Sequence, residues 1–90
     1  MNRANPYRFD DQAPTVTYVA RWLFNEVVRR GGFLSEPVAA LEIVRHFDGP
    51  FVRMRPSGSY AVGPGVLREL RRIAGDRLVW DTRARGWHLT

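Results

Sequence analysis

A chain of 90 residues forms a single domain that buries roughly 60–65% of its unfolded surface and folds unaided. Its 44% hydrophobic content excludes a disordered chain, and the lack of cysteine excludes disulfides, thiolate zinc sites and a cysteine nucleophile. The net charge of +5 arises wholly in residues 45–90, where nine arginines face Asp48, Glu69, Asp76 and Asp81; residues 1–44 balance five arginines with five acids.

Every one of the 14 basic residues is arginine. Arginine suits phosphate because its planar fork donates two parallel hydrogen bonds and keeps its charge. The absence of lysine is a habit of GC-rich coding; the asymmetry is what points to an anionic partner. The first residues lead into no apolar stretch, and no run reaches membrane-spanning length. The expected location is the cytoplasm, with no membrane partner.

Residues 1–14 carry two prolines and no periodicity, and read as a flexible tail that Tyr7 or Phe9 could pin. Thr15 is placed to cap helix 1. Val16, Val19, Ala20, Leu23, Phe24, Val27 and Val28 give that helix a wide core-facing stripe, with Trp22 on its flank and Tyr18, Arg21, Asn25 and Arg29 facing away. Gly31-Gly32 supplies a left-handed stop. Phe33-Leu34 makes a short extended link. Ser35 then caps helix 2, Glu36 favours its dipole and Pro37 sits harmlessly in the first turn. Ala40, Leu41, Ile43, Val44 and Phe47 form its apolar side, and Asp48-Gly49-Pro50 ends it.

Two short extended runs, 51–54 and 59–62, flank Arg55-Pro56-Ser57-Gly58, which has proline and glycine where a type I turn wants them. This predicts a small hairpin. Gly63-Pro64 opens helix 3, where Val66, Leu67, Leu70, Ile73 and Ala74 share one side and Arg68, Arg71 and Arg72 take the other. A last hairpin pairs residues 78–80 with 87–89 around an arginine-bearing loop. Leu78 and Trp80 share a face, as do Trp87 and Leu89, and truncating Trp87 should cost about 3–5 kcal/mol if its ring is buried.

The fold class these elements predict is α+β, over residues 15–90. Three helices, a short strand and a C-terminal two-stranded wing follow the winged-helix order, with an extra small hairpin between helices 2 and 3. A DNA-binding helix-turn-helix joins its last two helices by three or four residues, whereas here 48–63 intervene.

From Val16 to Trp87 the chain also carries a set of short sequence steps. They are Val19-Ala20-Arg21-Trp22-Leu23, Phe47-Asp48-Gly49 with Phe51-Val52, Ser57-Gly58-Ser59 before Ala61-Val62, Val66-Leu67, Leu70-Arg71, Val79-Trp80-Asp81 and Trp87. In these it resembles a family of short bacterial proteins known only as a domain of unknown function. It departs where the family tends to have Trp-Arg and this chain has Trp87-His88, and where the family tends to carry Gln and this chain has Ser35-Glu36. The matching positions are mostly apolar or turn residues. The resemblance implies a small winged-helix-like domain and brings no activity.

Enzymatic readings find little support. His46 and His88 lie in different elements without ligand spacing, Ser35, Ser57 and Ser59 have no nucleophile elbow, and Gly63-Pro64-Gly65 is too short for a phosphate loop. The expectation is a non-enzyme with no cofactor, metal or small-molecule substrate. The leading reading is DNA binding through Arg68, Arg71 and Arg72 of helix 3 and Arg83 and Arg85 of the wing, with Arg53 and Arg55 adding from the inner hairpin. Phosphate neutralisation would release counterions, and one arginine could read guanine or the minor groove. The plainer explanation of Arg71 and Arg72 is that cations suit a last helical turn. The alternative is a protein-interaction or homodimer module using Trp22 and Tyr60, residue types enriched at interface hot spots, although either could simply complete a small core.

Overall fold

The computed structural model describes residues 15–47 and 49–90; the expected tail over 1–14, with Tyr7 and Phe9, and the Asp48 of the helix 2 stop lie outside the described residues. Helix α1 (Val16–Arg29) begins as its sequence dictates: the Thr15 hydroxyl accepts a hydrogen bond from the Tyr18 amide at 3.1 Å. It ends on Gly31 and Gly32, both at positive φ, whose amides bond back to the Val28 and Val27 carbonyls. Val19, Ala20, Leu23 and Val27 are fully buried. Val28 is 48% exposed, and the buried position beside Val27 belongs to Glu26. Glu26 is tolerated there because Arg29 and Arg30, one turn on, cover its carboxylate with bonds of 2.8–3.2 Å.

Strand β1 (Phe33–Ser35) leads directly into helix α2 (Glu36–Phe47). The opening amide of α2 is satisfied from outside: Glu36 N–H donates to the Arg85 carbonyl at 2.8 Å. Ala39, Ala40 and Ile43 are its buried apolar residues, whereas Leu41, expected on that side, is exposed.

A 3₁₀ turn (Gly49–Phe51) precedes the inner hairpin of β2 (Val52–Met54) and β3 (Tyr60–Val62), paired Val52 with Val62 and Met54 with Tyr60. Its turn forms as proline and glycine predict, with Gly58 N–H donating to the Arg55 carbonyl. Gly58 takes φ +92°, the left-handed residue that lets Arg55 N–H reach the Ser59 carbonyl. Helix α3 (Pro64–Ala74) starts with Gly63 as N-cap and Pro64 at its first position. Val66, Leu70 and Ala74 are buried against α1, Leu67 and Ile73 partly so, and Arg68, Arg71 and Arg72 are exposed.

After a second 3₁₀ turn (Gly75–Arg77), strands β4 (Leu78–Asp81) and β5 (Gly86–Leu89) make the wing. Leu78 pairs with Leu89 and Trp80 with Trp87, as alternation predicts. The strand Phe33–Ser35 joins them, giving an antiparallel three-stranded sheet in the order β1-β5-β4. The architecture is thus α+β, with three helices, two small antiparallel sheets and strands after α3, a layout compatible with a winged-helix-like plan. No helix among the described residues is long and apolar enough to cross a membrane.

Candidate nucleic-acid interface

The inner hairpin packs on α2, not across the outer face of α3. This leaves the arginine side of α3 open and forms a groove with three walls. Leu67 and Arg71 come from α3, Arg53 and Arg55 from the hairpin, and Trp80 and Trp87 from the wing, with Glu36 of α2 also lining it. The groove has a volume of about 330 Å³. A smaller cavity of about 120 Å³ adjoins it, lined by Leu70, Ala74 and Leu78 together with Leu67, Arg71, Trp80 and Trp87. Four residues are therefore common to both, and Arg71 and Trp80 are the two of these that are exposed.

The two tryptophans play different parts. Trp87 is 7% exposed and part of the core, whereas Trp80, on the outer strand of the sheet, is 44% exposed. Their rings meet edge to face, with centroids 5.2 Å apart and planes at 66°. The buried indole props the exposed one upright.

The groove's carboxylate is already neutralised. Glu36 is 7% exposed; its Oε1 accepts from Arg55 Nη2 at 2.7 Å, and its Oε2 accepts from the Val62 amide at 3.2 Å. The sequence suggested Glu36 as a helix-dipole residue and Arg55 as a phosphate ligand. Glu36 does lie in the first turn of α2, and its pair with Arg55 also staples the start of that helix to the inner hairpin. Arg72 is also engaged: it grips Glu69 with bonds of 2.8–3.2 Å, and Glu69 accepts a further bond from the Thr17 hydroxyl on α1. Arg72 foremost, and then Thr17, holds the Glu69 carboxyl below its ordinary range; Glu69 in turn raises Arg72.

Of the seven arginines singled out from sequence, Arg53, Arg68, Arg71, Arg83 and Arg85 remain without a carboxylate partner among the described residues. All five are exposed. Arg53 and Arg71 line the same groove from different elements, β2 and α3, and Arg68 continues the Arg71 stripe one turn earlier on α3. Arg83 and Arg85 belong to the wing loop, which is locally built. Asp81 Oδ1 accepts from the amides of Arg83 and Ala84, and Asp81 Oδ2 lies 3.0 Å from His88 Nε2. These contacts, the Ala84 amide first, hold the Asp81 carboxyl below its usual range. The Arg85 carbonyl then meets the Glu36 amide, which brings the loop to the groove's edge.

The suggested partner-binding residues do not come together. Trp22 lies between α1 and α2, its ring 5.2 Å from those of His46 and Phe47, whereas Tyr60 is half-buried against the core from the inner hairpin. His46 is 3.4 Å from Glu42, one helical turn back. Trp80 and Glu36 are what sequence reasoning missed as groove residues. Alternation gave the Trp80–Trp87 pairing but not which ring stays exposed, and Glu36 and Arg55 are 19 residues apart with no local signature.

Fold and groove together define the class: a small α+β domain whose α3, wing and extra hairpin surround an arginine- and tryptophan-lined cleft. More particularly, residues 15–89 match the family of unknown function DUF6953, and the chain belongs to that family. Neither the curated proteins nor the solved structures provide a match.

Proposed function

We propose that this chain is a small non-enzymatic, cytoplasmic nucleic-acid-binding protein, with DNA as its leading partner. The observation that carries the reading is the pair Arg53 and Arg71, both exposed, both lining one groove and both without a carboxylate partner among the described residues. Arg68 extends the positive surface along α3, and Arg83 and Arg85 add the wing loop. Their guanidinium groups bind phosphate oxygens and release condensed counterions, so affinity depends steeply on salt. If all five arginines meet phosphates, affinity for duplex DNA falls by about 500-fold between 50 and 200 mM salt. Fluorescence anisotropy with labelled DNA tests this. Arg53→Ala combined with Arg71→Ala should weaken binding and lower the salt slope by about two, with the melting temperature unchanged. Absence of binding at low salt, or an unchanged slope, would refute the reading.

A second reading has its own observation. Tyr18, Leu41 and Val38 are exposed on α1 and α2, the two helices that also carry the Trp22–His46–Phe47 aromatic cluster, and side chains of these types suit contact with a protein partner or a second copy of the chain. Here sedimentation should reveal a dimer that Trp22→Ala dissociates and the arginine variants leave intact.

A further inference from the structure

The groove contains more than a phosphate clamp requires. We infer that it accepts an unpaired nucleotide, with the base stacked on Trp80 and the flanking phosphates held by Arg53 and Arg71; the inference rests on the nucleic-acid reading above. Three observations converge on it.

The first is the Trp80 ring, 44% exposed in a chain whose other wing tryptophan is buried beneath it. An indole supported edge-on by a core residue is a fixed stacking platform, and losing rotational freedom on binding costs it little. A helix that only gripped a duplex backbone would have no use for such a ring at the junction of two cavities.

The second is charge placement. The arginines come from different walls, one on β2 and one on α3, with Trp80 on a third wall. This is the arrangement that tracks a single strand: cations along the backbone path and an aromatic face between them. The acid in the groove does not oppose it, because Arg55 and the Val62 amide already satisfy the Glu36 carboxylate.

The third is size. At about 330 Å³, the groove lies at the small end of cavities that enclose organic ligands. Stacked base pairs hide their faces from a side chain, so only an unpaired base or a flipped one can present its face to Trp80.

The test uses the full chain and labelled oligonucleotides of equal length: single-stranded DNA, single-stranded RNA, duplex DNA, and a single strand whose central nucleotides are abasic. Single strands should bind more tightly than the duplex and quench tryptophan fluorescence. The DNA and RNA arms identify which strand is preferred. Trp80→Ala should weaken single-strand binding by roughly five- to a hundredfold, the range expected for losing one stacked base, while changing the duplex little. The abasic strand should lose a similar factor against the parent protein and nothing further against Trp80→Ala. Trp80→Phe, which keeps an aromatic face and the sheet packing, should retain most of the binding. If Trp80→Ala weakens duplex and single strand equally, or if abasic and intact strands bind alike, the inference is overturned while salt-dependent binding itself stands. If no nucleic acid binds, both readings fall.

Discussion

Replacing Arg55 by alanine would remove the one guanidinium that, among the described residues, is bonded to the nearly buried Glu36 carboxylate. Glu36 would keep a single neutral donor, the Val62 amide at 3.2 Å, in a site where the residue is 7% exposed. Breaking a fully buried ion pair from one side costs about 3–5 kcal/mol, because the remaining charge is stranded. The Arg55 side chain is 28% exposed, so water partly repairs the loss, and about 2–3 kcal/mol is the expected cost. In a domain of this size that lowers the melting temperature by about 10–20 °C, readable by circular dichroism. The turn bonds from Arg55 N–H and to its carbonyl persist in the alanine variant, so the change isolates the side chain. Glu36→Gln, which strands no charge, should cost less. Glu36→Ala with Arg55→Ala should be less destabilised than the two single changes added together. A melting temperature within about 3 °C of the parent, or strict additivity, would refute the staple. If stability were unchanged and nucleic-acid affinity fell, Arg55 would be a ligand contact after all.

Three further outcomes are expected. The carboxyls of Glu26, held low chiefly by its bond from Arg29, of Glu69, held by Arg72, and of Asp81, held by the Ala84 amide, all titrate below their ordinary values. Their contribution to stability is therefore complete above the ordinary carboxylate range and is lost as pH falls through the depressed values. Urea unfolding between neutral pH and about pH 3 should show this, and Glu26→Gln should flatten the acid limb; a stability that rises on acidification would contradict it. Gly86→Ala places a Cβ 2.5 Å from the Leu34 carbonyl oxygen and 2.7 Å from Ser35 Cα, so β1 must part from β5. A loss of at least about 2 kcal/mol is expected, and an unchanged melting curve would show that the sheet edge yields freely. Arg53→Ala should weaken single strands more than duplex DNA, and Arg68→Ala the reverse; identical effects of both on both ligands would mean one shared pose.

Much of the fold is written locally. The three helices follow from apolar spacing and from Thr15, Gly31-Gly32 and Gly63-Pro64 at their ends, and the wing register follows from alternation about Trp80 and Trp87. Periodicity misjudged Val16 and Val28, both exposed at the ends of α1, because spacing alone cannot say where a helix enters or leaves the core. It also missed Glu26, whose i+3 and i+4 arginines were the available sign that a carboxylate could be buried there. The arginines of the groove were legible as residue types, but their division was not. Arg72 and Glu69 are three residues apart and could have been paired by helical geometry, whereas Arg55 and Glu36 meet only because the inner hairpin folds onto α2. The strand at Phe33–Ser35 gave no sign that it would edge the wing's sheet, since three residues carry too little alternation to name a partner.

The extra hairpin also alters what α3 can do. An α-helix with its side chains is about 10–12 Å across and a B-form major groove about 12 Å wide, so a helix entering it needs clear flanks. Here α3 has the wing on one side and, through Arg53 and Arg55, the hairpin sharing a cavity with Leu67 and Arg71. The Arg71 side of the helix thus lines a cleft that it shares with Arg53 and Arg55 of the hairpin. If the nucleic-acid proposal holds, the arginines lining the cleft suit a strand that enters between the hairpins better than a duplex that must accommodate all three elements at once. On the proposed reading, the insertion converts a helix that would probe base edges into one wall of a clamp. The exposed Trp80 then supplies the recognition that groove insertion would otherwise have provided.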